Sequence, residues 1–245
     1  MQKDYFSQHA SIYATFRPSY PPELYAYVFS HLKSFDAAWD CATGNGQVAS
    51  ELCKHFTSVE ATDISHQQLA NAIQGKNIHY HISSAEQTPF SDASFDLITV
   101  GQALHWFDTE KFFNEAKRVG KLDGKLAIWG YSVLSVNKEV DPLFYHYYNT
   151  IVGPYWDAAR KHIEEEYVNI HFPFRTVQTE HFALNLEWDL DQFLGYLRSW
   201  SATQKFMKAV GHDPLPAFSE KLQKVWKAEE KKVVSFPIFL KLCSR

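Results

Sequence analysis

Three features of the chain predict an α/β fold: a doubly wound, mostly parallel, seven-stranded sheet with an inserted helical cap. Short apolar runs alternate with helical patterns over residues 37–131, as expected of strands covered on both faces by helices. A glycine-containing turn, Ala42-Thr43-Gly44-Asn45-Gly46, directly follows the first apolar run. After Tyr131 the alternation gives way to a stretch at about 135–175 that is rich in Tyr, Trp, His and charge. This reads as a cap carried by the sheet rather than as an independent domain.

The elements follow in order. Arg17-Pro18-Ser19-Tyr20-Pro21-Pro22 is extended or turned, because proline restricts its own φ and the residue before it. The proline pair opens a helix from Glu23 to about Leu32, with Leu24, Tyr27, Val28 and Leu32 on one face. Ala37–Cys41 is a short buried strand, and Gln47 to about His55 a helix. Val59–Asp63 is a second strand, and Ser65–Ile73 a second helix with Ser65 placed to cap it. Ile78–Ile82 and Phe95–Val100 are the third and fourth strands, Asp108–Val119 is helical, and Lys125–Tyr131 is the fifth strand. Residues 139–172 look helical, Val177–Trp188 is a later strand, and 189–209 is helical again. A helix from Ala217 to Lys231 then leads into the β-prone run Val233–Leu240, whose Pro237 argues for an edge position or a bulge.

Length and composition bound the function. At 245 residues and 45% hydrophobic, the chain is read as one domain spanning 1–245. Its 24 Lys+Arg against 28 Asp+Glu give a net charge of −4, which disfavours a strongly basic nucleic-acid binder. No apolar run approaches the length of a membrane span, and the start MQKDYFSQHA lacks the apolar stretch of a signal peptide. Cys41, Cys53 and Cys243 are isolated, so a reduced, cytoplasmic setting is expected. No metal is expected, since His79, His81, His162 and His171 show no metal-ligand spacing.

The turn after the first strand carries the sharpest chemical signal. Gly44-Asn45-Gly46-Gln47-Val48-Ala49 satisfies GxGxxG/A, the pattern in which glycines let a ligand approach the backbone. Two cofactor classes compete for it. A dinucleotide would set an anionic pyrophosphate beside Asp40, whereas S-adenosylmethionine brings a cationic ammonium and sulfonium, so Asp40 favours the latter. Asp63, seventeen residues beyond Gly46, ends the second strand, where a carboxylate accepts from both ribose hydroxyls of either cofactor.

On these residues the chain resembles the class I S-adenosylmethionine-dependent methyltransferases, a Rossmann-like family, and within it the small-molecule branch related to trans-aconitate methyltransferase. Asp40-x-Ala42-x-Gly44-x-Gly46 is similar to the family's first motif, with alanine for the usual first glycine, and Asp63 matches its ribose-binding acid. Ser84–Asp96 resembles the segment that holds adenine, Gln102-Ala103-Leu104-His105-Trp106-Phe107 the segment after the fourth strand, and Tyr13–Pro21 an N-terminal lid within an arm at 1–22. The likeness extends to Ser199–Thr203 and Phe236–Leu240. Two departures are Ser84, where an acid is common, and Leu122-Asp123-Gly124, where Pro-Gly-Gly is usual.

The resemblance implies methyl transfer from S-adenosylmethionine, leaving S-adenosylhomocysteine, by in-line displacement on an activated sulfonium. The protein then mainly orients and excludes water. Cofactor binding is assigned to Asp40, Ala42, Thr43, Gly44, Gly46, Asp63, Ile64, Ala85, Glu86, Gln102 and Ala103. Arg17 joins them because its planar fork matches a carboxylate. Tyr13, Tyr20, His105 and Trp106 are expected to line the acceptor site, with His105 the candidate general base because its ordinary pKa lies near 6.5.

The leading reading is a cytoplasmic, monomeric enzyme acting on a small molecule, a carboxylate or other oxygen nucleophile among the candidates, with no nucleic acid or membrane partner. Methylation of RNA or protein is the principal alternative. It is disfavoured by the net charge and by Gln102-Ala103-Leu104-His105, where amino-methylating nucleic-acid enzymes resemble Asn/Asp-Pro-Pro-aromatic. A dinucleotide oxidoreductase is opposed by Asp40. A non-catalytic binding protein is opposed by the intact glycines, although fold alone does not imply function.

Overall fold

A computed structural model describes residues 19–245. Its centre is a seven-stranded sheet in the order β3-β2-β1-β4-β5-β7-β6. The strands are β1 (Ala37–Cys41), β2 (Ser58–Asp63), β3 (Ile78–Ile82), β4 (Phe95–Gly101), β5 (Gly120–Tyr131), β6 (Thr176–Trp188) and β7 (Lys232–Ser244). β1 through β5 pair in parallel, whereas β7 runs antiparallel to both β5 and β6. The chain order reverses between β1 and β4. Their carboxyl ends therefore send loops in opposite directions and open a crevice, the place where ligands bind in open parallel sheets.

Alternation along each central strand supplies two cores. Ala38, Leu97 and Ala127 face one layer with Leu24, Val28 and Leu52, while their neighbours Trp39, Ile98 and Ile128 face the other with Phe112 and Phe113. α1 (Pro22–Ser30) and α2 (Gln47–Leu52) cover the first face, and α4 (Thr109–Val119) covers the second. Side-chain caps start two of the helices, Ser65 as expected and Asp108 in place of its expected role as the first helical residue. Ser65 accepts from the Gln68 N–H to cap α3 (His66–Ala70), and Asp108 accepts from the Lys111 N–H to cap α4. Away from the crevice, Asp96 accepts from the backbone of Asp36 and Ala37 and from Lys121 Nζ. It thereby fixes the register of β1, β4 and β5.

Between β5 and β6 come α5 (Asp141–His146), a π turn at Tyr147–Ile151, a 3-10 turn at Gly153–Tyr155 and α6 (Arg160–Glu164). Between β6 and β7 come α7 (Leu190–Arg198), begun by a reciprocal Asp189–Gln192 capping box, α8 (Ser201–Val210) and α9 (Leu215–Leu222). Trp200 joins the two segments, with its ring edge-on to Phe144 and Tyr148 and against Trp156.

Two expectations are corrected. The helix expected over 217–231 ends at Leu222. Trp226 turns wholly into the core and donates its indole N–H to the Glu230 carbonyl, 2.8 Å away, which closes the turn into β7. Pro237 lies in an interior strand, not at an edge. Its carbonyl accepts from Ser132 N–H just past the last paired residue of β5, Tyr131. The missing N–H shares that side of the strand, so it is lost where the β5 ladder has already stopped.

Candidate functional site

The crevice beyond β1 and β4 is lined by Tyr20, Asp40, Ala42, Thr43, Gly44, Asn45, Gln47, Val48, Gly101, Gln102 and Tyr131. Its floor is the turn after β1, which is built on positive φ at three positions: Ala42 at 55°, Gly44 at 56° and Gly46 at 80°. A Cβ on Gly44 would meet no atom within 4 Å, so this face of the turn is an open cradle. Gly46 faces the protein instead, and a Cβ there would lie 2.3 Å from Tyr80 Oη. Ala42 takes the same left-handed conformation with a methyl group that resists it. Ala42→Gly should therefore stabilise the fold by about 0.5–1 kcal/mol, seen as a higher urea midpoint at unchanged m-value.

Two carboxylates at adjacent strand ends hold the turn. Asp40 is fully buried and accepts from Thr43 Oγ1 (2.5 Å), Thr99 Oγ1 (2.8 Å) and the Ala49 N–H (3.1 Å). The carboxylate expected to orient an ammonium is thus largely engaged inside the protein, tying β1 to β4 and to α2. Burial pushes its pKa up to about 6 against those hydrogen bonds, and the charge of Asp63 adds to the rise. Asp63 accepts from Gly44 N–H at 2.9 Å and Ser65 N–H at 2.8 Å. These two bonds hold its carboxylate at the end of β2, beside the Gly44 turn.

The lining of this crevice contains one acid, Asp40, with Asp63 bonded to the backbone of its Gly44, and no Lys or Arg among the described residues. A cationic ligand fits that balance and a pyrophosphate does not. The residues present therefore suit S-adenosylmethionine.

The other expected cofactor residues are distributed unevenly. Ala85 and Ala103 are buried in the core layer around Trp39 and line neither cavity described here. Glu86 accepts from the Asp108 N–H at 3.0 Å, which anchors the start of α4, and Ile64 is 40% exposed. Gln102 stands at φ 57° with its Nε2 donating to the Tyr131 carbonyl. Tyr13 and Arg17 lie outside the described residues.

A second cavity adjoins the first through Gln102. It is lined by Gln102, His105, Trp106, Trp156, Asp157, Arg160, Ile163, Tyr196, Trp200 and Ser201. His105 and Trp106 both line this second cavity, their rings 4.5 Å apart, whereas Tyr20 lines the first crevice. Trp156, Arg160, Tyr196 and Trp200 escaped the sequence reading. The aromatic richness of the cap stretch and Ser199–Thr203 were their only signals, and Arg160 had none.

His105 corrects the expectation of a base poised near neutrality. Burial, with the charge of Arg160 and the proximity of His162, pushes its pKa down to about 3, so the ring is neutral and a weak proton acceptor. In the unfolded chain it would take a proton below about pH 6.5, and in the folded chain only below about 3. Folding stability is consequently lost as pH falls through that window. His105→Gln should remove about 3 kcal/mol of acid sensitivity, measured as the wild-type minus variant difference in urea unfolding between pH 7 and pH 4.

Comparison with known proteins bears on this pair of cavities. A family profile described as a methyltransferase domain matches residues 39–128. A Dictyostelium discoideum protein named as a methyltransferase is 35% identical over 250 residues, covering 99% of this chain and 95% of its own. Among solved structures, one described as a type II methyltransferase from Anaeromyxobacter dehalogenans superposes with TM-score 0.87 at 31% identity, over 94% of this chain and 98% of its own. A Haemonchus contortus phosphoethanolamine N-methyltransferase, solved with S-adenosylhomocysteine, shares the fold alone at TM-score 0.51 and 16% identity, over 98% of this chain and 58% of its own.

Proposed function

This chain belongs to the S-adenosylmethionine-dependent methyltransferase family, and from that premise we propose that it methylates a small-molecule acceptor, a carboxylate or other oxygen nucleophile, by in-line displacement. The observation that carries the reading is the meeting of two chemically different cavities at Gln102: an acidic crevice over the Gly44 turn, and an aromatic chamber under Trp156 and Trp200.

When bound, S-adenosylmethionine supplies a methyl group already activated by a positive sulfur. The chain's part is placement. Gly44 lets the cofactor approach the backbone, Asp63 fixes the ribose end, and the Asp40 bonds to Thr43, Thr99 and Ala49 keep the turn in shape. Trp106, Trp156, Tyr196 and Trp200 bring apolar ring surface to the acceptor, which displaces water from the line of transfer. The resemblance to trans-aconitate methyltransferases and the enclosed aromatic lining support a small acceptor over a macromolecular one.

A cytoplasmic setting belongs to the same reading, supported by three free cysteines, Cys41, Cys53 and Cys243. No helix among the described residues is long and apolar enough to cross a membrane, and no group of three or more metal-ligating side chains occurs among them.

Calorimetric titration of the purified protein with S-adenosylmethionine, S-adenosylhomocysteine and NAD tests the proposal. Micromolar binding of the two sulfur nucleosides with NAD silent is expected. Binding of NAD alone would overturn it.

A further inference from the structure

The second cavity holds a guanidinium, Arg160, whose terminal donors have no hydrogen-bond partner among the described residues. Arg160 opens α6 with its side chain only 19% exposed. Its Cζ lies 4.3 Å from the Trp156 ring centroid and 5.5 Å from that of Tyr148. Nε donates to Tyr148 Oη at 2.8 Å and stands 3.5 Å from Glu164 Oε1, while the Tyr148 hydroxyl donates to Glu164. Tyr148 is presented by the π turn, a rare distortion frequently found at functional sites. The cage thus fixes the inner nitrogen of Arg160, and no hydrogen-bond partner among the described residues takes either terminal amino group. A guanidinium with its terminal fork left open matches the geometry of a carboxylate or phosphate.

The second donor is His105. Its Nδ1 lies 3.2 Å from Tyr167 Oη. Tyr167 is 1% exposed, and its phenol is held protonated by burial. Phenols donate well and accept poorly, whereas the unprotonated nitrogen of imidazole accepts well, so the Tyr167 hydroxyl donates to Nδ1 and the ring proton sits on Nε2. Glu166 and Tyr167 both take left-handed backbone, φ 51° and 56°, to hold the phenol in this position.

The carboxylates of the cavity region are already engaged. Asp157 pairs with Lys205 at 2.5 Å, and Glu164 with Tyr148 and Arg160. His162 and Arg160 are the remaining charged or titratable groups acting on His105.

We propose that the methyl acceptor binds as an anion, its carboxylate or phosphate received by Arg160, with Tyr167 positioning His105 as a hydrogen-bond donor to the same ligand rather than as a base. This rests on the methyltransferase reading of the two cavities and adds the charge class of the acceptor. Arg160 is the specificity-determining residue, and Tyr167 is a positioning residue that acts through His105.

The test uses the full chain loaded with S-adenosylhomocysteine and three probes: phenylacetate, phenyl phosphate and the neutral phenylacetamide. At least one anion should bind about tenfold or more tightly than the amide, and which anion does so identifies the group recognised. Arg160→Gln should remove that preference while keeping the amide's affinity, and Arg160→Lys should restore part of it. Independently, nitrogen-15 NMR of the histidine rings should find His105 protonated at Nε2 and not titrating from pH 5 to 9. Tyr167→Phe should mix the tautomers.

Equal binding of all three probes, silence from both anions, or a His105 that carries its proton on Nδ1 or titrates near its ordinary pKa would overturn the inference. Failure of the protein to take up S-adenosylhomocysteine at all would instead strike the methyltransferase reading beneath it.

Discussion

Gly46→Ala is expected to destabilise the protein by about 2–5 kcal/mol and to abolish tight cofactor binding. Two costs combine. At φ 80° an L residue is strained by about 1–2 kcal/mol. The added methyl would also sit 2.3 Å from Tyr80 Oη and 3.3 Å from its Cζ. Tyr80 cannot move aside freely, because its hydroxyl donates to the Ile73 carbonyl at 2.5 Å and the Ile73 N–H in turn donates to the Asn45 carbonyl within the same turn. Overpacking of this kind costs about 1–3 kcal/mol. The double variant with Tyr80→Phe separates the two. It should recover the packing part and leave the backbone part, measured by urea unfolding, while calorimetry with S-adenosylhomocysteine follows the shape of the turn. A single variant within about 0.5 kcal/mol of wild type would mean that the turn is not pinned against β3.

The elements that a local pattern specifies were the ones most legible in the chain. β1 and β3 have the expected bounds, and Ser65 and Asp108 cap the helices they precede, because buried runs and cap chemistry are written within a few adjacent residues. Pro237 was misplaced for a reason no local pattern contains: whether its missing N–H matters depends on where β5 ends, more than 100 positions earlier in the chain. The cofactor turn was readable as a glycine motif. The engagement of Asp40 was not, since Thr99 reaches it from β4 across 59 residues. The acceptor cavity was least legible. Gln102, the pair Trp156 and Arg160, and Trp200 come from three separate segments, and no pattern in the sequence announces that they meet. The depressed basicity of His105 follows from that assembly, because Arg160 and burial act on it only once the chain has folded.

Asp63→Ala should weaken binding of S-adenosylmethionine by at least about tenfold, about 1.4 kcal/mol, and cost a further 1–3 kcal/mol of stability. Both effects descend from one carboxylate at the end of β2. Its Oδ2 receives Gly44 N–H and its Oδ1 receives Ser65 N–H, so alanine strands a donor in the cofactor turn and another at the cap of α3. Asp63→Asn decides how the acid acts. The amide oxygen keeps one of these two acceptor roles, whereas the amide nitrogen can serve neither the other backbone donor nor a ribose hydroxyl that must donate. Where Asn recovers stability but not affinity, Asp63 holds the ribose directly. Where affinity tracks stability across both variants, Asp63 works by shaping the Gly44 turn. Unchanged affinity in Asp63→Ala would remove it from the cofactor site and leave it a purely structural role, because a group that accepts from the bound diol cannot be deleted without loss.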